Sequence, residues 1–130
     1  MKCRGNRKHL QLLKDRSPVR VIERQSKYMR DVLGCFRFVG LPSRPSCGNG
    51  IIRVRKCLSI GSKICVLAHE IGHAVCYLRK CKCISKHFHG KSHLLAEQHA
   101  HASAIRILKM LDLPYGSFYR FLLSTNFHIK

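Results

Sequence analysis

The stretch Ser62–Lys80, SKICVLAHEIGHAVCYLRK, contains the sequence His-Glu-Ile-Gly-His at positions 69 to 73. It is an apolar run compatible with an α-helix. Residues four apart lie on one face of a helix, so His69 and His73 can direct their imidazoles at one point. Two neutral imidazoles about 2.0–2.1 Å from a metal ion, with open positions beside them, are the start of a catalytic zinc site. The stretch therefore predicts a helix that carries two zinc ligands.

Glu70 follows the first histidine directly, where its carboxylate can reach an attacking water rather than the metal. This is the position that a general base needs. Apolar residues precede the motif and small residues flank its second histidine, as expected for a buried helix with a metal on one face. The alternative interpretation is a helix whose two histidines are satisfied by hydrogen bonds in the core.

A catalytic zinc requires a third protein ligand. The candidates downstream of the motif are His87, His89, His93, Glu97, His99 and His101. We favour Glu97, because it is an isolated acid in a basic chain and its helix is rich in alanine, which permits close approach to the first helix. His101 lies four residues further on and therefore on the same face. It is predicted to be an alternative ligand or a partner that orients a ligand.

The elements predicted along the chain are those of an α+β fold. Ser17 and Pro18 are typical of a helix start, and that helix would extend to Leu33. Alternating residues predict a short antiparallel sheet from two strands, Cys35–Val39 and Ile51–Cys57. After the motif helix we expect a second ligand helix at about His93–Met110, a break at Asp112 and a short helix at Tyr115–Leu123. Residues 1–16 are expected to be a loosely held basic arm, and residues 17–130 a single domain.

Charge is the second strong feature of the 130-residue chain, which has 25 lysines and arginines, 6 acids and a formal net charge of +19. Hydrophobic residues make up 45%, which excludes general disorder. Such a charge attracts polyanions, nucleic acid above all, through phosphate contacts. The alternatives are that it serves solubility or an acidic protein partner. Sequence-specific recognition of DNA is not predicted, because no helix-turn-helix, zinc-finger or aromatic stacking signature is present.

The first residues, MKCRGNRKHL, lack the apolar stretch of a secretory signal, and no run is long enough to span a membrane. We therefore expect a cytoplasmic protein without membrane contact, whose eight cysteines are reduced. Cys65 and Cys76 would act as small hydrophobic residues of the motif helix. A second zinc could be held by the four groups of the segment CKCISKHFHG, which are Cys81, Cys83, His87 and His89. Their spacing is not standard, so a loop without metal is preferred.

The segments LAHEIGHA and AEQHAHASAIRIL together resemble the minimal gluzincin peptidases, in particular the ImmA/IrrE family. In that family an H-E-x-x-H helix is followed by a helix carrying E-x-x-A and further small residues. The resemblance covers about residues 50–110 and implies a small zincin-like domain. It implies that His69, His73 and Glu97 bind Zn²⁺. It also implies that Glu70 is the catalytic base.

The chain also resembles a second family, the SprT-like proteases, which act on proteins bound to DNA. In those enzymes H-E-x-x-H-A precedes a loop with His-Gly, whose histidine is the third ligand. This chain has His73-Ala74 and later His89-Gly90, at a longer spacing than in that family. We rank this resemblance second. At the end of the ImmA/IrrE motif, where that family has a second acid and Asn-x-Phe-Ala, this chain has His99, His101 and Ser103.

The expected function is zinc-dependent hydrolysis of peptide bonds in a DNA-associated regulatory protein, the substrate class that the first resemblance implies. By analogy with that family, the strand Ile51–Cys57 would pair with an extended substrate. The oxyanion donor would be Tyr115, Tyr119 or His128, among which the sequence does not select. The rival function is a non-catalytic, basic DNA-binding module with a structural zinc. A structural zinc normally has four protein ligands, which favours the enzyme.

Overall fold

The computed structural model describes residues 6–25, 33–38, 50–79, 93–113 and 120. Within these ranges the helices are α1 (Arg7–Arg16), α2 (Ile60–Leu78) and α3 (His93–Met110). The strands are β1 (Arg20–Arg24), β2 (Gly34–Phe38) and β3 (Gly50–Arg55). The elements follow one another in the order α1, β1, β2, β3, α2, α3. The predicted α+β class is confirmed.

The three strands form a mixed sheet in the order β1-β3-β2. β2 pairs antiparallel with β3, as predicted, whereas β1 pairs parallel with β3. The prediction of a purely antiparallel sheet is therefore wrong, because it did not include β1. In β3 the buried residues Ile52 and Val54 alternate with half-buried ones. One face of the sheet thus packs on the core that the helices share.

Residues 7–16 form a helix, and the prediction of a loosely held arm is wrong for this part of the chain. The side chain of Asn6 caps α1 by accepting a hydrogen bond of 3.1 Å from the backbone N–H of His9. Leu10 and Leu13, three residues apart on one face, are buried in the core next to α2. Two leucines are a weak helical pattern in the sequence. Packing of these leucines against the apolar surface of α2 is what stabilises α1.

Residues 20–24 form β1, so the helix predicted from Ser17 to Leu33 is wrong in its described part. Ser17 ends α1 instead of starting a helix, because a residue before proline is driven to extended backbone. Its hydroxyl donates to the carbonyl oxygen of Val19 at 2.7 Å, which stabilises the turn into β1. The β-branched residues Val21 and Ile22 then favour a strand.

α2 is the central helix and packs against α1, α3, β2 and β3. It begins at Ile60, and Ser59 caps it by accepting a hydrogen bond of 3.2 Å from the backbone N–H of Ser62. At Gly72 the backbone lies so close to α3 that a Cβ atom would overlap the carbonyl oxygen of Ala100. The predicted close approach of the two ligand helices through small residues is confirmed.

α3 has the predicted bounds and ends in a Schellman motif. Asp112 adopts a φ of 57°, and its amide donates to the carbonyl of Lys109 at 3.1 Å. The amide of the buried Leu113 donates to the carbonyl of Leu108 at 2.7 Å. The predicted break at Asp112 is therefore confirmed. The short helix predicted at Tyr115–Leu123 lies outside the described residues, except for position 120.

The cysteines of the described ranges differ in their bonding. Cys35, Cys57 and Cys76 form no disulfide, as predicted, whereas Cys65 is disulfide-bonded. The expectation of a free thiol at Cys65 is wrong, since tertiary packing brings another sulfur to α2. No described helix has both the length and the apolar composition needed to cross a bilayer.

Candidate metal centre

The two histidines of the motif lie one turn apart on α2, and their Nε2 atoms are 3.2 Å from each other. Their rings are arranged edge to face, with centroids 4.8 Å apart. The exposed fraction of the side chain is 1% for His69 and 12% for His73. The pair therefore has one fully buried member and one member at the edge of solvent.

Glu97 of α3 directs its carboxylate at both histidines. Its Oε2 atom is 2.7 Å from Nε2 of His69, and its Oε1 atom is 3.3 Å from Nε2 of His73. The close contact between Gly72 and Ala100 explains this position, because Glu97 lies one turn before Ala100 and faces the motif across the same interface. The structure thus brings together the three residues predicted as metal ligands.

The imidazole nitrogens of His69 and His73 are 3.2 Å apart, close to the spacing of two zinc ligands. They lie 2.7 and 3.3 Å from the two different carboxylate oxygens of Glu97. In a tetrahedral zinc site with metal–ligand distances of about 2.0–2.1 Å, ligand atoms are about 3.3 Å from one another. Two imidazole nitrogens and one carboxylate are also the donor set of catalytic His₂Glu zinc sites. The residues present therefore have the chemistry to hold a metal ion.

His101 lies at the same cluster, one turn after Glu97 on α3. Its ring is edge to face with that of His69, with centroids 5.0 Å apart. Ligand atoms of His69, Glu97 and His101 all lie within 4.8 Å of one another, which is looser than the spacing of the three donors above. The location predicted for His101 by helical periodicity is therefore observed. This distance suits either a further ligand or a neighbour that orients His69.

Glu70 is buried beside the cluster, with 4% of its surface exposed. It is covered by β2, because a Cβ atom at Gly34 would lie 3.3 Å from Cγ of Glu70 and would overlap Val66. Only a residue without a side chain allows the strand to approach α2 this closely. The sequence does not indicate this role of Gly34, because no periodicity predicts its contact with Glu70.

The two buried carboxyls have opposite pKa shifts. Burial raises the pKa of Glu70, and the nearby His73 and His69 offset this only in part. Burial also opposes ionisation of Glu97, but hydrogen bonds from His69 and His73 hold its pKa well below the usual range. Burial disfavours charge on His73, yet the bond to Glu97 and the charge of Glu70 raise its pKa. The ionised carboxylate of Glu97 thus lies near the carboxyl of Glu70, whose pKa is raised. Such a pair is suited to acid–base chemistry.

A cavity of about 270 Å³ lies next to the cluster, between α2 and α3. Its lining residues are Val75, Cys76, Arg79, His99, Ala102, Ser103 and Arg106. His99, a candidate ligand, lines this cavity and is not one of the clustered residues His69, Glu97 and His101. The remaining candidates His87 and His89, the cysteine loop and the three oxyanion candidates lie outside the described residues. So does the side chain of His93.

No family model, no curated protein and no solved structure matches this chain. The resemblances to the ImmA/IrrE and SprT-like families therefore stay predictions from short motifs.

Proposed function

We propose that the protein is a zinc-dependent endopeptidase. The observation that supports this most is the convergence of His69, His73 and Glu97, whose two imidazole nitrogens are 3.2 Å apart and each lie within 3.3 Å of one of the two carboxylate oxygens, beside the buried carboxyl of Glu70. Three protein ligands leave one tetrahedral position for water or substrate. The solvent edge at His73 provides access to that position.

In this proposal the four residues divide the work. His69, His73 and Glu97 hold the ion, which when bound supplies Lewis acidity that polarises a carbonyl group and acidifies water. Glu70 takes a proton from the attacking water and passes it to the leaving amine. The raised pKa of Glu70 suits both transfers, since a base is most effective when its pKa approaches the working pH.

The substrate strand is proposed to pair with β2. The prediction that Ile51–Cys57 offers a free edge is wrong, because β3 is the central strand and is paired on both sides. Among the three described strands β2 lies at an edge of the sheet, and it lies over Glu70 through Gly34. An extended peptide added to this edge would run beside the general base.

The proposed substrate class is a regulatory protein associated with DNA. The support for it is the net charge of +19, which would concentrate the enzyme near nucleic acid. The SprT-like alternative needs His89 as third ligand. The position of Glu97, 2.7 Å from His69, favours the ImmA/IrrE-like ligand set instead.

A second candidate function is a non-catalytic protein with a structural metal. His101 favours it, because a fourth ligand from α3 would complete a closed tetrahedral site. Under this alternative the carboxyl of Glu70 has no chemical task, and its removal would change nothing but local packing.

The test combines metal content with cleavage. Purified wild type, Glu70→Gln, Glu97→Ala and His101→Ala are analysed for zinc and incubated with a library of unstructured peptides, whose new termini are read by mass spectrometry. We expect one zinc and cleavage in the wild type, zinc without cleavage in Glu70→Gln, and loss of both in Glu97→Ala. Removal of one such base typically costs at least about 100-fold in rate. Zinc that is lost in His101→Ala, together with no cleavage by the wild type, would establish the structural site.

A further inference from the structure

The face of the sheet that points away from the helices carries a cluster of arginines. Side chains of a strand alternate between two faces, and residues paired across strands share a face. In β3, Ile52 and Val54 point into the core, so Arg53 and Arg55 point away from it. The register pairs Arg24 with Arg55 and Ile22 with Arg53, which places β1 residues on the same face. We call the set Arg20, Arg24, Arg53 and Arg55 the arginine face.

The three strands contribute no acid to the arginine face. Their one carboxylate, Glu23, has the opposite orientation, since it pairs with Val54 in the register. It contacts Lys14 of α1 at 2.8 Å and Lys63 of α2 at 2.6 Å, both on the helix side of the sheet. The sheet therefore separates charge, with the acid turned toward lysines inside and the arginines turned outward.

The geometry of the arginine face suits a row of phosphates. Arg20 and Arg24 are exposed, whereas Arg53 and Arg55 are half-buried and their Nε atoms are not accessible to solvent, so the exposed pair on β1 is the more accessible part of the face. Neighbouring strands lie about 4.8 Å apart, and residues two apart on a strand are separated by about 7 Å. Guanidinium groups bind phosphate with two parallel hydrogen bonds. Between them the face presents aliphatic Ile22 and Ile51. Because these side chains are cationic or aliphatic, we expect the face to contact the backbone of a nucleic acid and not to stack on its bases.

We propose that the arginine face binds the sugar-phosphate backbone of nucleic acid, without sequence specificity. A long polyanion is favoured over a single acidic peptide because the chain as a whole carries 25 basic and 6 acidic residues. The metal cluster lies among the helices on the other side of the sheet. Nucleic acid and a protein substrate can thus be held at the same time. Binding here gives the proposed peptidase its partner, but it does not depend on hydrolysis.

Binding is measured by fluorescence anisotropy of labelled single-stranded and duplex oligonucleotides across a range of salt concentrations, with the full zinc-loaded chain. The test variant is Arg20→Gln/Arg24→Gln, whose side chains are exposed and whose removal should spare the fold. A second variant adds Arg53→Gln and Arg55→Gln. The matched control is Arg79→Gln/Arg106→Gln, which removes the same charge from exposed arginines at the cavity between α2 and α3.

For duplex DNA the slope of log K against log salt is negative, and each lost phosphate contact reduces its magnitude by about 0.9, so we expect a reduction of up to about 2 in the double variant and a further reduction in the quadruple one. The control should keep the wild-type slope. An equal decrease in the control would overturn the proposal, because it would show that net charge alone determines binding. Stronger binding of poly-glutamate than of either oligonucleotide, lost in the double variant, would also overturn it in favour of an acidic protein partner. Zinc content and peptide cleavage, measured on the same samples, report separately on the proposed hydrolysis.

Discussion

At the scale of single residues, His73 connects metal binding to protonation. The hydrogen bond to Glu97 and the charge of Glu70 raise its pKa above the usual 6.5 despite burial. Zinc binding requires neutral imidazole, so this proton must leave before the ion binds. Glu97, in contrast, is already ionised because its pKa is lowered. The first protons to compete with zinc on acidification are therefore those of imidazole rather than of the ligand carboxylate.

We expect the affinity for zinc to decrease as the pH falls through the raised pKa of His73 and below it. Below the pKa of His73, displacement of one proton costs about tenfold in affinity per pH unit. Competition with a chromophoric chelator at a series of pH values measures this slope. An affinity that is constant from neutral pH down to the pKa of ordinary carboxyls would show that His73 is not a ligand.

At the scale of elements, the distance between α2 and α3 determines the cluster. Gly72 lies against the backbone of Ala100, so any side chain there must push the helices apart. In an ordinary helix, replacement of glycine by alanine stabilises by about 1 kcal/mol. For Gly72→Ala we expect the opposite sign, a loss of about 1–3 kcal/mol typical of overpacking, together with weaker zinc binding.

Chemical denaturation of metal-free Gly72→Ala and wild type measures the free energy of unfolding, and a chelator titration measures the affinity. The sign of the change is decisive, since helix propensity and packing against α3 predict opposite signs. A more stable variant with unchanged affinity would contradict the close contact.

Glu23 links three elements, because it lies on β1 and contacts Lys14 of α1 and Lys63 of α2. Although burial opposes its ionisation, these two lysines lower the pKa of Glu23 below the usual 4.5. A carboxyl whose pKa is depressed by folding stabilises the protein above its unfolded pKa, and this stability is lost as the pH falls through the folded pKa. This stabilisation is fully present at neutral pH, and its loss begins as the pH falls below about 4.5.

For Glu23→Gln we expect a loss of about 1 kcal/mol in the free energy of unfolding at pH 7 and a smaller loss at pH 3. Asp15→Asn is the matched control, since it removes the same charge from an exposed side chain that bonds to Gln11 within α1. Urea titrations at the two pH values give the comparison. Equal losses in both variants would show that total charge, and not the link between elements, is responsible.

At the scale of the whole molecule, the net charge of +19 opposes folding through self-repulsion. Salt screens this repulsion, with a Debye length of about 30 Å at 0.01 M and about 10 Å at 0.1 M. We therefore expect the melting temperature of the wild type to rise with sodium chloride over this range. Thermal unfolding followed by circular dichroism measures it, and a melting temperature that falls with salt would mean that attractive pairs outweigh the repulsion.

The sequence by itself determined the motif helix, the second ligand helix and the strands β2 and β3. In these segments helical spacing or alternation is strong, and packing reinforces local preference. The same helical spacing predicted that His69 and His73 share a face of α2 and that His101 shares one with Glu97 on α3. These relations lie within one element, so periodicity alone reaches them.

Only the tertiary structure decided the rest. α1 and β1 have weak patterns, and the surface of α2 and the edge of β3 are what stabilise them. The cover of Gly34 over Glu70 and the arginine face both join positions far apart in the chain. Arg20 and Arg24 looked like part of a helix until parallel pairing placed them beside Arg53 and Arg55. Long-range pairing depends on how elements dock, and local periodicity carries no information about it.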